Sequence, residues 1–153
     1  MANALQSVAP GLSDLQLYGR LLLSVGLAAV IGFERELHGK EAGLRTTILI
    51  CLGATLLTIM SSALAAQGAD ATRITANIAT GVGFLGAGAI LRQGGHIQGL
   101  TTAAVIWVVA AVGIAVGGGQ YHAAIGTTVL VLIVLVPLRA WERRMEKRRL
   151  KAP

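Results

Sequence analysis

Between Asp70 and Glu142 the chain has no carboxylate, and from Ala71 to Ala140 its only charged side chains are Arg73, Arg92 and Arg139. So long an interval without an acid offers no acid–base pair. It also argues against a cation pathway, which ordinarily needs carboxylates or aligned carbonyls. Aromatic residues are scarce, at 4%. The net charge of +6 is therefore not accompanied by a basic stripe with stacking aromatics, and nucleic-acid binding is not expected. The single cysteine, Cys51, excludes an intrachain disulfide. Its setting, ILICLGATLL, reads as a small buried hydrophobe. No Lys or Arg precedes Arg20, Asp14 occupies the place of a basic leader region, and no A-x-A site follows Phe33, so no secretory signal peptide is expected. Ser61 and Ser62 have no nearby His or acid, and His96 and His122 fall on opposite sides of the membrane in the arrangement below. No catalytic residue, no enzyme activity and no cofactor are expected.

What the chain has instead is apolar aliphatic sequence. Its 153 residues are 54% hydrophobic and 13% charged, with a mean hydropathy of +0.70, well outside the averages of soluble domains. Five segments approach the ~20 apolar residues of a spanning helix: Leu15–Phe33, Thr46–Ala66, Ile74–Leu91, Leu100–Gly117 and Tyr121–Leu138. The third is the shortest, with a helical rise of only ~27 Å. Short linkers favour one compact bundle. The expected fold is all-α, a polytopic membrane bundle of five transmembrane helices over residues 15–138, preceded by a short segment (1–14) and followed by a basic tail (139–153).

Orientation follows from the distribution of Lys and Arg. With five spans, one side carries Arg35, Lys40 and Arg45 in the first loop, Arg92 in the third, and seven basic residues from Arg139 to Lys151. The other side carries only Arg20 and Arg73. That asymmetry places the N-terminus outside and the C-terminus in the cytoplasm. Tyr18 and Tyr121 at outer ends and Trp141 at the inner end agree with an aromatic belt.

Residues 81–90, GVGFLGAGAI, contain the G-x-G-x-x-G pattern of dinucleotide sites at Gly81, Gly83 and Gly86. That fingerprint requires a preceding strand and an acid about 20 residues on. Here the next acid is Glu142 and the stretch lies within an apolar span. Small residues serve another purpose in lipid, where helices associate by close packing. Ala79, Gly81, Gly83, Gly86, Ala87 and Gly88 form a smooth surface, and the expectation is a central helix closely surrounded by others. The same face could serve a homodimer.

Ionisable groups at membrane depth are costly and are functional candidates by default. Arg20 is expected to snorkel to the outer interface. Asp70 reads equally as the N-cap of the third helix or, with Arg73, as half of a cross-helix pair. Asn77, one turn deeper, needs a partner on a neighbouring helix or another protein. Thr101 and Thr102 can bond to carbonyls of their own helix. In GFERELHGKEAGLRT, Glu36–Lys40 and Glu41–Arg45 are i,i+4 pairs that would support a helical extension. On such a helix Glu34, His38 and Glu41 would share a face, but three ligands make a poor metal site, and none is assigned.

Three blocks, IGFERELHGKEAGLRTTILICLGA (31–54), DATRITANIATGVGFLGAGAI (70–90) and GLTTAAVIWVVAAVG (99–113), resemble the MgtC/SapB family of bacterial inner-membrane proteins. The resemblance spans Leu21 to Leu135 and is to the membrane domain, without the soluble ACT-like C-terminal domain that many members carry. It implies a multi-pass inner-membrane protein linked to growth at low magnesium and, in intracellular pathogens, to survival in macrophages. Its members look like regulators rather than pumps, and one is associated with restraint of the ATP synthase. The shared polar residues carried over by position are Glu34, Arg35, Glu36, Lys40, Arg45, Asp70, Arg73, Thr101 and Thr102. Asn77 stands where many relatives have Gln. The expected function is regulation by binding another membrane protein through the helices, with the ATP synthase membrane sector as the candidate the resemblance supplies. The alternative is a transporter or channel for Mg²⁺ or another small solute.

Overall fold

The computed structural model describes residues 12–65, 68, 70–93 and 96–138. The tail 139–153 with Trp141, and nearly all of segment 1–14, lie outside the described residues. Among the described residues, five helices and a short hairpin follow in the order α1 (Asp14–Leu37), α2 (Leu44–Ala65), α3 (Ala71–Gly88), β1 (Leu91–Gln93), β2 (His96–Gln98), α4 (Leu100–Gly117) and α5 (Tyr121–Leu135). α1, α2 and α4 are long and apolar enough to cross a membrane. α3 is diluted by Arg73, Asn77 and three threonines, and α5 has 15 residues, a rise of about 22 Å. α5 ends at Leu135, two residues before Pro137, which has no amide to donate into the helical ladder.

Local chemistry fixes where the helices begin and end. At the start of α1, Ser13 Oγ accepts from the Gln16 amide at 3.3 Å, while Gln16 Oε1 accepts from the Ser13 amide at 3.1 Å. This reciprocal box satisfies two otherwise orphaned donors. At its end, Gly39 takes φ +60, and the amides of Gly39 and Lys40 donate to the carbonyls of Glu36 and Arg35, both at 3.0 Å. A left-handed residue closing the last turn in this way terminates a helix. The expected helical extension through Glu41–Arg45 therefore does not form, and Glu41 leaves the face it was to share with Glu34 and His38. α4 ends by the same device at Gly119, φ +76.

The all-α expectation also needs a small correction. β1 and β2 pair antiparallel, with Gln93 opposite His96. The intervening Gly94-Gly95, outside the described residues, is in sequence a two-residue hairpin signal.

The core lies between α1, α2 and α4. Ala28 and Ile31 of α1, Cys51 of α2, and Val109 and Val116 of α4 are fully buried together. α2 and α4 approach each other closely. A methyl added at Gly113 would run into the Cys51 carbonyl and lie 2.9 Å from Ala54 Cβ, and one at Gly117 would lie 2.7 Å from the Thr55 carbonyl oxygen. Two glycines four residues apart let the helix backbones meet, as close packing in lipid requires. Thr55 Oγ1 links them, donating to the Gly113 carbonyl at 3.0 Å and sharing with the Cys51 carbonyl at 2.8 Å. A second close crossing joins α1 to α2 at Gly32, whose missing side chain leaves room for Thr47 Oγ1 and for Leu44 Cα.

The central helix is thus α4 rather than α3. α3 packs on α2 and α4 through Ile78 and Val82, and its glycine surface looks outward. Among the described residues a Cβ on Gly81, Gly83 or Gly88 would meet nothing within 4 Å; at Gly86 it would touch Ala103 at ordinary contact distance. Ala79 is half-buried and Ala87 exposed. The bulky residues of α3 that do pack, Ile78 and Val82, decide which side turns inward, and the exposed glycines fall on its two flanks, Gly81 and Gly88 on one and Gly83 on the other.

Candidate polar site where the helix ends converge

The last turn of α1 carries Glu34-Arg35-Glu36, and the turn at Gly39 folds the next residues back over it. Glu34 and Arg35 are buried, with 6% and 3% of their surfaces exposed. Charges at that depth are tolerable only with polar partners close by. His38 Nδ1 lies 3.0 Å from Glu34 Oε1 and 2.7 Å from the Glu34 carbonyl. Arg35 Nη2 donates to Thr102 Oγ1 at 3.1 Å, joining the end of α1 to the start of α4. Thr102 therefore bridges helices rather than serving its own helix alone. Glu36 turns the other way: its Oε2 accepts from the Leu44 amide at 2.8 Å, placing a carboxylate at the positive end of α2. Thr47 completes the elbow by donating to carbonyls around it, that of Ala28 among them, at 3.2 Å.

Arg35, Lys40, Thr101 and Thr102, four of the residues expected from sequence, line one cavity of about 520 Å³. Its other walls are Ile97, Gly99 and Leu100 before and at the start of α4, and Val134 and Leu135 at the end of α5 with Leu138 just beyond it. Gly99 has no side chain to cap α4, so no side-chain hydrogen bond closes that helix start. No carboxylate lines this cavity among the described residues. Its chemistry is cationic and hydroxylic on one wall and aliphatic on the other. Arg45 is exposed on the first turn of α2, outside the cavity lining.

Asp70, Arg73 and Asn77 form a separate group at the other end. Asp70 accepts from the hydroxyl and amide of Thr72 at 2.6 and 2.9 Å, capping α3. The Thr72 hydroxyl, and then its amide, hold the Asp70 carboxyl below the usual aspartate range. Arg73 is exposed. Asn77 borders an apolar groove between α2 and α3 with Leu57, Ile74 and Gly81, and its amide makes no hydrogen bond among the described residues. The expected bond from Asn77 to a neighbouring helix of the same chain is therefore absent there. Arg20, also at that end, does not simply snorkel to water. Its Nη1 donates to the Gly117 carbonyl at 2.6 Å and its Nε to Tyr121 Oη at 3.0 Å, a cation at the negative end of α4.

Gly32, Gly113, Gly117 and Thr55, which hold the helix crossings, are inconspicuous in the sequence. The G-x-x-x-G spacing of Gly113 and Gly117 was the available signal, but twenty glycines supply many small pairs and only the packing distinguishes them.

Comparison with known proteins supplies the remaining context. The sequence profile of the MgtC family matches residues 21–144. The Escherichia coli K12 protein named "Putative magnesium transporter YhiD" is 46% identical over 123 residues, covering 76% of this chain and 57% of that protein. An uncharacterized protein of Haemophilus influenzae is 40% identical over 145 residues, 87% of this chain and 61% of its own. Protein MgtC of Salmonella typhimurium LT2 is 39% identical over 127 residues, 83% of this chain and 54% of its own. The chain spans somewhat over half the length of these relatives. No solved structure matches it.

Proposed function

Because the chain belongs to the MgtC family, we propose that it is a five-span regulatory protein of the bacterial inner membrane that acts in adaptation to low magnesium. In this reading α3 and α5 cross with the three longer helices, the N-terminus lies outside, and the elbow and tail face the cytoplasm. It regulates by binding another membrane protein through α3. The observation that carries this is the uncovered side of α3: Gly81 and Gly88 on one flank, beside the Asn77 amide that makes no hydrogen bond among the described residues, and Gly83 on the other flank have open space beside them. In lipid, a surface of that kind favours close approach of a further helix and a hydrogen bond across it. The membrane sector of the ATP synthase is the candidate partner that the family resemblance supplies; a second copy of the chain is the competing occupant.

The printed name of the Escherichia coli relative favours a second reading, transport of Mg²⁺. Two experiments separate them. In a strain lacking its own MgtC-family protein, the wild-type chain should restore growth at low magnesium, whereas Gly83→Leu and Asn77→Leu, normally inserted, should not. Purified protein in proteoliposomes should pass no more Mg²⁺ than empty vesicles. Flux above that background would establish the transport reading, and full complementation by both variants would end the α3 reading.

A further inference from the structure

The cavity at the elbow has a composition that neither regulation through α3 nor Mg²⁺ transport uses. We propose that it binds a phosphate group, that of an anionic phospholipid headgroup, with the acyl chain lying along the end of α5. Arg35 is anchored at the cavity wall by its bond to Thr102, and a planar guanidinium matches phosphate oxygens in a way that few other groups do. Lys40, exposed at the rim, adds a second charge on a flexible stem. Thr101 and Thr102 contribute hydroxyls. The first turn of α4 begins among them without a side-chain cap, and the amides and dipole of a helix start favour an anion. No carboxylate on the described walls opposes the charge, so a free divalent cation would be repelled where an anion is attracted.

The aliphatic wall decides between sources of phosphate. Val134 and Leu135 at the end of α5, with Leu138 just beyond it, continue the cavity wall from the cationic residues, which gives a hydrocarbon chain a surface that a free inorganic ion has no use for. Basic residues immediately beside a spanning segment attract anionic lipid in general, and seven of them follow Leu138 in sequence. The test must therefore separate the cavity from the tail.

The full chain is purified in mild detergent and titrated with phosphatidylglycerol, with phosphatidylcholine of identical acyl chains, and with inorganic phosphate. Apparent unfolding temperature and retained lipid are the two readouts. Phosphatidylglycerol should bind and stabilise where phosphatidylcholine does not, and it should do so equally in a full-length variant whose tail Lys and Arg are all Gln. In that background Lys40→Ala should weaken phosphatidylglycerol binding about fivefold, the effect of one cation at an anionic headgroup, and Lys40→Glu should weaken it further. Lys40 is exposed, so both variants should fold; Arg35→Lys is read only if its circular dichroism matches wild type. Equal binding of the two lipids overturns the proposal, as does selectivity that disappears with the tail charges and ignores Lys40. Stabilisation by inorganic phosphate with the same Lys40 dependence, and none by phosphatidylglycerol, would overturn the lipid assignment and leave a soluble phosphate as the ligand.

Discussion

Replacing Gly113 by alanine tests whether the bundle is organised around the α2–α4 contact. The added methyl would collide with the Cys51 carbonyl and lie 2.9 Å from Ala54 Cβ, whereas carbon atoms pack comfortably at about 3.5–4.0 Å. The obstacle is backbone, which cannot rotate aside, so α4 must back away from α2. Overpacking of this kind costs about 1–3 kcal/mol, and a rigid obstacle puts it toward the upper end. The same change gains about 0.5–1 kcal/mol because alanine suits a helix better than glycine. The net expectation is a loss of about 1–2 kcal/mol, and separation also strains the Thr55–Gly113 hydrogen bond. Gly83→Ala is the internal control: nothing lies within 4 Å of its Cβ, so only the helix-propensity gain of up to about 1 kcal/mol remains. Reversible unfolding of the full chain in mixed micelles, followed by circular dichroism, measures both. Gly113→Ala at least as stable as wild type would refute the claim that glycine sets this crossing. A destabilised Gly83→Ala would refute the outward placement of the α3 surface.

Other expectations follow from single contacts. Thr55→Val keeps the shape of a fully buried side chain and removes its bond to the Gly113 carbonyl; it should lower stability by about 0.6 kcal/mol in the same assay. Glu36→Gln removes the charge from the start of α2 and should cost about 0.3–1 kcal/mol at low ionic strength, shrinking as salt is added. The folded-state pKa of Asp70 lies below its ordinary 3.8, so its cap contributes fully above that value and is lost as pH falls through the lowered one. Asp70→Ala should abolish this component of acid sensitivity, visible as a flatter stability–pH curve below pH 4.

How far the sequence discloses this protein differs from element to element. α4 has the boundaries expected from hydropathy, Leu100–Gly117, because a glycine pair ends it as sharply as the hairpin begins it. The elbow was harder to read. Two well-ordered i,i+4 pairs favoured a continuous helix, but a left-handed Gly39 outweighs a few tenths of a kcal/mol from each exposed pair. Arg35, Lys40, Thr101 and Thr102 are each candidates in sequence, yet they are up to 67 residues apart in the chain and nothing local shows that they share a cavity.

Composition and periodicity alone determined that the chain is helical and apolar, with most of its charge at the helix connections and the tail, because the cost of placing charge in hydrocarbon acts on every residue separately. Three blocks of residues carried the likeness to its family. Which glycines touch another helix is a different kind of property. GVGFLGAGAI looks like the most tightly packed stretch in the chain, yet among the described residues only Gly86 of its glycines has a neighbour in contact. Gly113 and Gly117, inconspicuous in sequence, meet a facing backbone. A small side chain permits close approach but exerts no pull. The larger residues around it choose the buried face, and their choice exists only once the helices are assembled.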